Sequence, residues 1–400
     1  MFLKRKNQRL AVIILFPLLV IPLLGLQSSA IASQPLSLTV GESVEEKVDL
    51  GLECKSAILM EATTGAILYE QNADESLPPA SVTKVMTLLL VMEAIEEGKI
   101  AFDDTVRTSA HAASMGGSQI FLKEGEEMSV EDMVKSVVIA SANDAACALA
   151  EHVYGSEDAF VARMNERAAE LGMKSTSFEN TNGLDDTATN HLTSARDIAI
   201  MSRELIKHEK ILEYSSVWMD TVRNGLFGLT NTNRLVRFYK GCTGLKTGST
   251  SKAGFCVSAT AVRDGVSLIC VIMGAESGEK RNSVASRLLD WGFANYSVYT
   301  YAPTTFDPIK VNGGVTDKVG ICTQGFTCVV KKGESSKVTV SLNIPNSVGA
   351  PIEKGGRIGE VIFSCQGREI GRAEVVALES VEKISYLGLF TRMLAGFLLK

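Results

Sequence analysis

Histidine is scarce in this chain: there are four in 400 residues, at positions 111, 152, 191 and 208. None stands with a cysteine at a metal-ligand spacing, so the sequence offers no metal site and calls for no cofactor. Positive charge is not in surplus either. Forty Lys and Arg against 46 Asp and Glu leave a net charge of −6, which excludes the basic footprint of a nucleic-acid-binding protein. There is no internal repeat of fixed period and no low-complexity tract. What remains is a chain with 46% hydrophobic residues, enough for a large core and, at about 150 residues per domain, for two to three domains.

The longest apolar run, Leu10 to Leu26, follows Lys4, Arg5, Lys6 and Arg9 and precedes Ser29-Ala30-Ile31-Ala32. A positive segment, an apolar segment and an A-x-A site read as a signal peptide over residues 1–32, with an uncleaved membrane anchor as the alternative. Either way, everything after Ala32 is expected outside the cytoplasm. Eight cysteines are unusual there, where disulfides are favoured. Most lie in apolar runs such as Leu268-Ile269-Cys270-Val271-Ile272 and read as buried free thiols. Cys322 and Cys328 flank Gly325 in a candidate hairpin and could pair.

Two apolar runs, Ala57 to Met60 and Ala66 to Tyr69, flank the hairpin signal Thr63-Thr64-Gly65. From Ser81 the period becomes helical: Val85, Leu88, Leu89, Met92 and Ile95 predict a long buried helix ending near Gly98. Helical patterns continue over 129–210. Strands are predicted over 244–249, 254–262 and 266–274, with Arg263-Asp264-Gly265 turning between the last two, and a closing helix over 281–296. This order predicts an α+β domain over 45–300 with one mainly antiparallel sheet and a helical cluster. Pro303 and Pro308 mark a boundary. Short alternating strands over 305–378 predict a small all-β domain. Over 380–400, Ile384, Leu387, Phe390, Leu394 and Phe397 share one helical face. That segment is too short, and too interrupted by Arg392, to span a bilayer. An amphipathic helix lying in the membrane surface is predicted, with packing on the all-β domain as the alternative.

Three short strings carry chemistry: Ser81-Val82-Thr83-Lys84, Ser141-Ala142-Asn143 and Lys246-Thr247-Gly248. Singly they are weak, since S-x-x-K recurs at Ser249–Lys252 and S-x-N at Ser341–Asn343. Only the first set places a serine and a lysine at the start of a strongly apolar helix, with the other two strings downstream. Ser81 follows Pro78-Pro79-Ala80, so its hydroxyl is expected at a helix start, where unpaired N–H groups stabilise an oxyanion. A serine hydroxyl is a poor nucleophile until a base takes its proton. No histidine is near in sequence, so a neutral Lys84, one turn on, is the candidate base, its pKa depressed by burial and by Lys246. Ser141 is placed to relay a proton between Lys84 and a leaving amine. Asn143 offers a donor and an acceptor to a substrate amide, although both residues are also ordinary helix caps. Lys246 and Thr247 suit a carboxylate, and Gly248 suits the close approach of an extended substrate.

Pro79-Ala80-Ser81-Val82-Thr83-Lys84-Val85-Met86-Thr87 and Gly244-Leu245-Lys246-Thr247-Gly248 resemble the low-molecular-mass penicillin-binding proteins, the serine-type D-alanyl-D-alanine carboxypeptidases. So do Asn182-Gly183-Leu184, the stretch His191 to Ile200, and Arg281 with Leu288-Leu289-Asp290-Trp291-Gly292-Phe293. The resemblance implies a penicillin-binding-protein/β-lactamase-like domain. The activity it implies is removal of the terminal D-alanine from peptidoglycan stem peptides ending in D-Ala-D-Ala, with β-lactam antibiotics acylating the same serine. It implies Ser81 as nucleophile, Lys84 as general base and Ser141 as proton relay. Asn143, Lys246 and Thr247 would contact substrate, the N–H groups of Ser81 and Ser249 would form the oxyanion hole, and Arg281 would help hold the terminal carboxylate. The β-rich domain and membrane-surface helix match the same architecture, implying peripheral attachment to the outer face of the cytoplasmic membrane. Two positions depart from the pattern: Ala142 where many members have glycine, and Ser249 where histidine is common. A class A β-lactamase is the rival enzyme, but its E-x-x-L-N string is absent between Asn143 and Lys246. A catalytically silent wall-binding protein is the rival outside enzymes. Carboxypeptidase, endopeptidase and weak transpeptidase activities share the acyl-enzyme step and are not separated by sequence.

Overall fold

The computed structural model describes residues 48–398 except 186 and 187, so the signal peptide expected at 1–32 lies outside the described residues. β1 (Ser56–Glu61) and β2 (Ile67–Gln71) form the predicted hairpin. β1 is buried along its whole length because both faces of its sheet are covered, which is why Ala57 to Met60 is uniformly apolar rather than alternating. A 3₁₀ turn, Ala80–Thr83, leads into α1 (Lys84–Glu96), a central helix buried almost all round. Short elements follow: β3 (Thr105–Arg107), α2 (Ala110–Ala113) and β4 (Glu127–Ser129). Then come α3 (Val130–Ile139), α4 (Asn143–Tyr154), α5 (Glu157–Glu170), α6 (Ala195–Leu205) and α7 (Glu209–Ser215). Ser129, Ser156 and Ser194 cap α3, α5 and α6 by accepting a backbone N–H bond. The described residues between α5 and α6, a stretch predicted as helix, are irregular. There Gly183 takes φ of +82°, and the Asn180 and Asn182 side chains accept from the N–H groups of Gly183 and Leu184, competing with helix.

The hairpin β5 (Met219–Val222) and β6 (Phe227–Thr230), with α8 (Leu235–Phe238), closes the helical block. The predicted strands follow as β7 (Cys242–Thr250), β8 (Gly254–Arg263) and β9 (Val266–Ala275). Asp264 and Gly265, both at positive φ, make the two-residue turn between β8 and β9. The sheet order is β2-β1-β9-β8-β7, antiparallel throughout. α9 (Gly278–Asn295) covers one face, where Leu288 and Leu289 join Leu59, Val257 and Leu268. The helical block covers the other through Ile58, Met60 and Val271. This is the α+β architecture expected, and it leaves β7 as an edge strand beside the 3₁₀ turn.

β10 (Tyr296–Tyr301), β11 (Thr304–Asn312), β12 (Lys318–Thr323), β13 (Phe326–Lys331) and β14 (Val338–Asn343) begin the all-β part. β15 (Ser347–Gly349), β16 (Arg357–Cys365) and β17 (Arg368–Ala377) complete it. β10 pairs with β13, so strand structure starts ahead of the proline boundary. The other six strands form one sheet over a core of Val319, Val361, Phe363 and Val375. α10 (Tyr386–Leu398) ends the described chain. All eight cysteines are free thiols; Cys322 and Cys328 lie on strands of different sheets, which separates the pair the hairpin reading allowed.

Candidate active site

The three strings of the sequence meet where α1, α4 and β7 converge. Ser81 sits half-buried in the 3₁₀ turn rather than on the α-helix itself, and Lys84 is the first residue of α1 with no exposed surface. Lys84 Nζ lies 2.9 Å from Ser81 Oγ, 2.5 Å from Asn143 Oδ1 and 2.9 Å from the Asn182 carbonyl oxygen. Burial first, and then the Lys246 ammonium, push the Lys84 pKa well below its ordinary value; Asp144 opposes them weakly. An unpaired ammonium in such a place costs several kcal/mol, so the neutral amine is favoured. A neutral amine has two hydrogens and one lone pair. Asn143 Oδ1 and Asn182 O are acceptors only, so they take the two hydrogens. The lone pair is left facing Ser81, whose O–H donates into it. That is the ground state a general base requires.

Asn143 opens α4 and uses both ends of its carboxamide on the protein, since Nδ2 donates to Gly116 O at 2.6 Å. That bond fixes which end faces Lys84. These two bonds use one of the two Oδ1 lone pairs and one of the two Nδ2 hydrogens of the carboxamide that sequence reasoning offered to a substrate amide. Ser141 lies at the break between α3 and α4, buried, in the left-handed region at φ of +62°. A serine rarely adopts that conformation, and strain of this kind concentrates at functional sites.

On β7, Lys246 is 1% exposed, and its Nζ donates to the Thr247 carbonyl at 3.0 Å. Burial, then Arg281, lowers its pKa to about 7. Arg281, in the first turn of α9, is also buried and donates to Asn282 Oδ1 and weakly to Cys256 O. Among the described residues neither cation has a carboxylate partner, so this end of the site is complementary to an anion. Thr247 Oγ1 donates to Thr232 Oγ1, and Ser249 is exposed one step beyond Gly248. The close approach at Gly248 is made by the protein. A Cβ there would stand 2.7 Å from Ser81 N and 2.9 Å from Pro79 O, so glycine is what lets β7 lie against the nucleophile turn. The groups gathered here are amines, hydroxyls and amides. The Asp144 carboxylate is spent on the N–H groups of Ile120, Leu122 and Ala145, and among the described residues nothing here resembles a metal-ligand set.

Sequence reasoning missed the groups behind this first layer. Asn182 acts through its backbone oxygen, which no side-chain pattern reveals. Thr83 and His191 form a second support. His191 Nδ1 accepts from the Glu179 N–H at 3.0 Å, which leaves Nε2–H to donate to Thr83 Oγ1 at 2.8 Å. The Thr83 hydroxyl then donates to Ala80 O at 2.9 Å, bracing a residue held at φ of +48° directly before Ser81. Burial lowers the His191 pKa to about 4 from its ordinary 6.5. The unfolded chain therefore takes up a proton as pH falls below 6.5 while the folded one does not, until about pH 4. Stability is expected to fall over that window by about 3 kcal/mol from this residue. Urea unfolding of the protein and of His191→Gln at pH 7 and pH 4.5 checks this: the variant should lose less, and parallel losses would clear His191.

Residues 42–277 match the D-alanyl-D-alanine carboxypeptidase family, and residues 302–383 match the penicillin-binding protein 5 C-terminal domain. The chain is 41% identical over 356 residues to D-alanyl-D-alanine carboxypeptidase DacF of Bacillus subtilis, covering 87% of this chain and 91% of that one. It is similar to the crystal structure of penicillin binding protein 5 from Haemophilus influenzae, with TM-score 0.74 and 31% identity over 83% of this chain and 98% of that one. Penicillin-binding protein D2 from Listeria monocytogenes in its ampicillin-bound form matches with TM-score 0.57 and 32% identity, over 62% of this chain and 100% of that one. With its strings gathered in one site and both parts of the chain matched, this protein belongs to the D-alanyl-D-alanine carboxypeptidase family of low-molecular-mass penicillin-binding proteins.

Proposed function

We propose that this chain is a serine carboxypeptidase that removes the terminal D-alanine from peptidoglycan stem peptides through an acyl-Ser81 intermediate, and that β-lactams acylate the same serine. The observation that carries this reading is the buried Lys84 amine, whose Nζ lies 2.9 Å from Ser81 Oγ. An extended peptide lies along the open edge of β7, its terminal carboxylate toward Lys246, Thr247 and Arg281. Ser81 Oγ attacks the penultimate D-alanine carbonyl as Lys84 takes the proton. The oxyanion is held by the N–H groups of Ser81 and Ser249. Ser141 passes a proton to the departing amine, D-alanine leaves, and water then cleaves the ester with Lys84 again as base. Asn143 and Asn182 keep the amine aimed, and Gly248 keeps β7 against the turn.

Ser81→Ala is expected to abolish both covalent labelling by penicillin and release of D-alanine from a stem pentapeptide. Mass spectrometry of the adduct checks it; a labelled alanine variant would reassign the nucleophile. Rapid turnover of penicillin by the unaltered protein would favour the β-lactamase reading, and failure to form any adduct the silent wall protein. A cross-linked dimer as second substrate separates carboxypeptidase from endopeptidase.

We also propose the division into a signal peptide at 1–32, a catalytic domain at 45–300, a β-rich domain at 305–378 and a membrane-surface helix at 380–400. The protein would then act on the outer face of the cytoplasmic membrane. Support for the helix comes from α10, which exposes Leu387, Phe390, Met393 and Leu394 while Arg392 pairs with Asp317. No helix among the described residues is long and apolar enough to cross a membrane. A chain starting at Ser33 and ending at Glu379 is expected to lose flotation with anionic liposomes that the chain ending at Lys400 shows. Equal flotation of both would remove the helix as the anchor.

A further inference from the structure

One cluster of titratable groups takes no part in the active site. His111 on α2, Cys147 on α4 and Glu157 at the start of α5 direct their donor atoms at one place, all within 4.8 Å of one another. Glu157 Oε2 accepts from His111 Nε2 at 2.8 Å and from the Cys147 thiol at 3.8 Å. Its other oxygen is held by the N–H and O–H of Thr181 at 3.0 and 2.7 Å. The spacing rule that found no metal site in the sequence had no access to this cluster, because the three donors come from three different helices.

We propose that His111, Cys147 and Glu157 bind a thiophilic divalent transition-metal ion of the zinc class. An imidazole nitrogen, a thiolate and a carboxylate are ligands that zinc holds at about 2.0–2.3 Å, and a tetrahedral site of those lengths sets its donors about 3.3–3.8 Å apart. The widest separation therefore closes by on the order of 1 Å on binding, while the 2.8 Å His111–Glu157 pair opens into that range. His111 supplies that movement, since its side chain is 54% exposed and stands on a single helical turn. Cys147 has no exposed surface and Glu157 is pinned by Thr181, so these two form the fixed wall. Thiolate softness favours zinc over magnesium or calcium.

A divalent ion takes the place of the His–Glu and Cys–Glu hydrogen bonds. The sulfur binds as thiolate, and its proton passes to solvent. Glu151, one turn along α4 from Cys147, or a water fills the fourth position. Thr181 immediately precedes Asn182, whose carbonyl holds the Lys84 amine, so the ion braces the turn behind the catalytic base and takes no part in the reaction.

The full chain, stripped with a chelator and titrated with Co²⁺, tests this. One equivalent is expected to bind with a near-ultraviolet thiolate-to-cobalt charge-transfer band and the visible bands of a tetrahedral ion. Zn²⁺ should displace it and raise the thermal midpoint. Cys147→Ser should lose the charge-transfer band, and His111→Ala should weaken binding by roughly tenfold or more, while both still form the penicillin adduct. A band absent from the unaltered protein, or one that survives in Cys147→Ser, overturns the proposal. If Cys147→Ser does not fold, undiminished affinity in His111→Ala, a surface substitution, overturns it alone.

Discussion

Replacing Lys84 by alanine is expected to slow acylation of Ser81 by labelled penicillin by roughly 10²–10⁴-fold, the usual cost of losing a general base. The substitution removes the amine that lies 2.9 Å from the hydroxyl, and it strands Asn143 Oδ1 and Asn182 O without the donor they share. A loss of stability follows from those two orphaned acceptors, so the thermal midpoint is measured beside the rate, and only rate lost by folded protein counts. A loss of a few fold would move the base role to another residue.

The pH profile of the unaltered protein carries the same argument with its sign. Lys84 must be neutral to accept the Ser81 proton, so acylation rises with pH as that depressed group loses its proton. Lys246, lowered to about 7, must be charged to attract a carboxylate, so the rate falls as pH passes that value. The second-order acylation constant is expected to rise and then fall, and Lys84→Ala should erase the acidic limb.

How much of this the sequence revealed depends on whether a side chain or the backbone does the work. Ser81 and Lys84 were legible because three residues are one helical turn, which brings two side chains together regardless of the rest of the fold. Lys246 was legible as a partner only through its string, because the pairing of β7 with β8 and the packing of both against the 3₁₀ turn join residues far apart in the chain. The five-stranded sheet shows the same limit. Each strand was visible from its apolar run and the Asp264-Gly265 turn, but the insertion of β1 beside β9 is a long-range pairing that spacing does not encode. Asn182 and Ala80 act through carbonyl oxygens, which every residue has. The stretch 171–194 was misread because the helical patterns on either side were carried across it, whereas Asn180 and Asn182 accept hydrogen bonds from the backbone of that turn. Gly248 was read as a site of close approach to a substrate, and the structure adds a second close approach there, by the nucleophile turn.

Gly183→Ala offers the sharpest check on that backbone layer. At φ of +82° any β-carbon costs about 1 kcal/mol, and that share is common to all such positions. Gly155, at φ of +83° where a β-carbon would meet nothing within 4 Å, isolates it. At Gly183 the new carbon would lie 1.9 Å from the Ala80 carbonyl oxygen and 2.4 Å from its carbon, so the chain entering Ser81 has to shift. The hydroxyl shifts with it, while the amine stays with Asn143. A displacement on the order of 1 Å between reacting groups costs about 10²-fold, so Gly183→Ala is expected to lose that much acylation per folded molecule. Gly155→Ala should lose stability alone. If both acylate at the unaltered rate, the nucleophile turn yields without moving the hydroxyl, and the support assigned to the 181–183 turn fails while the Ser81–Lys84 pair stands.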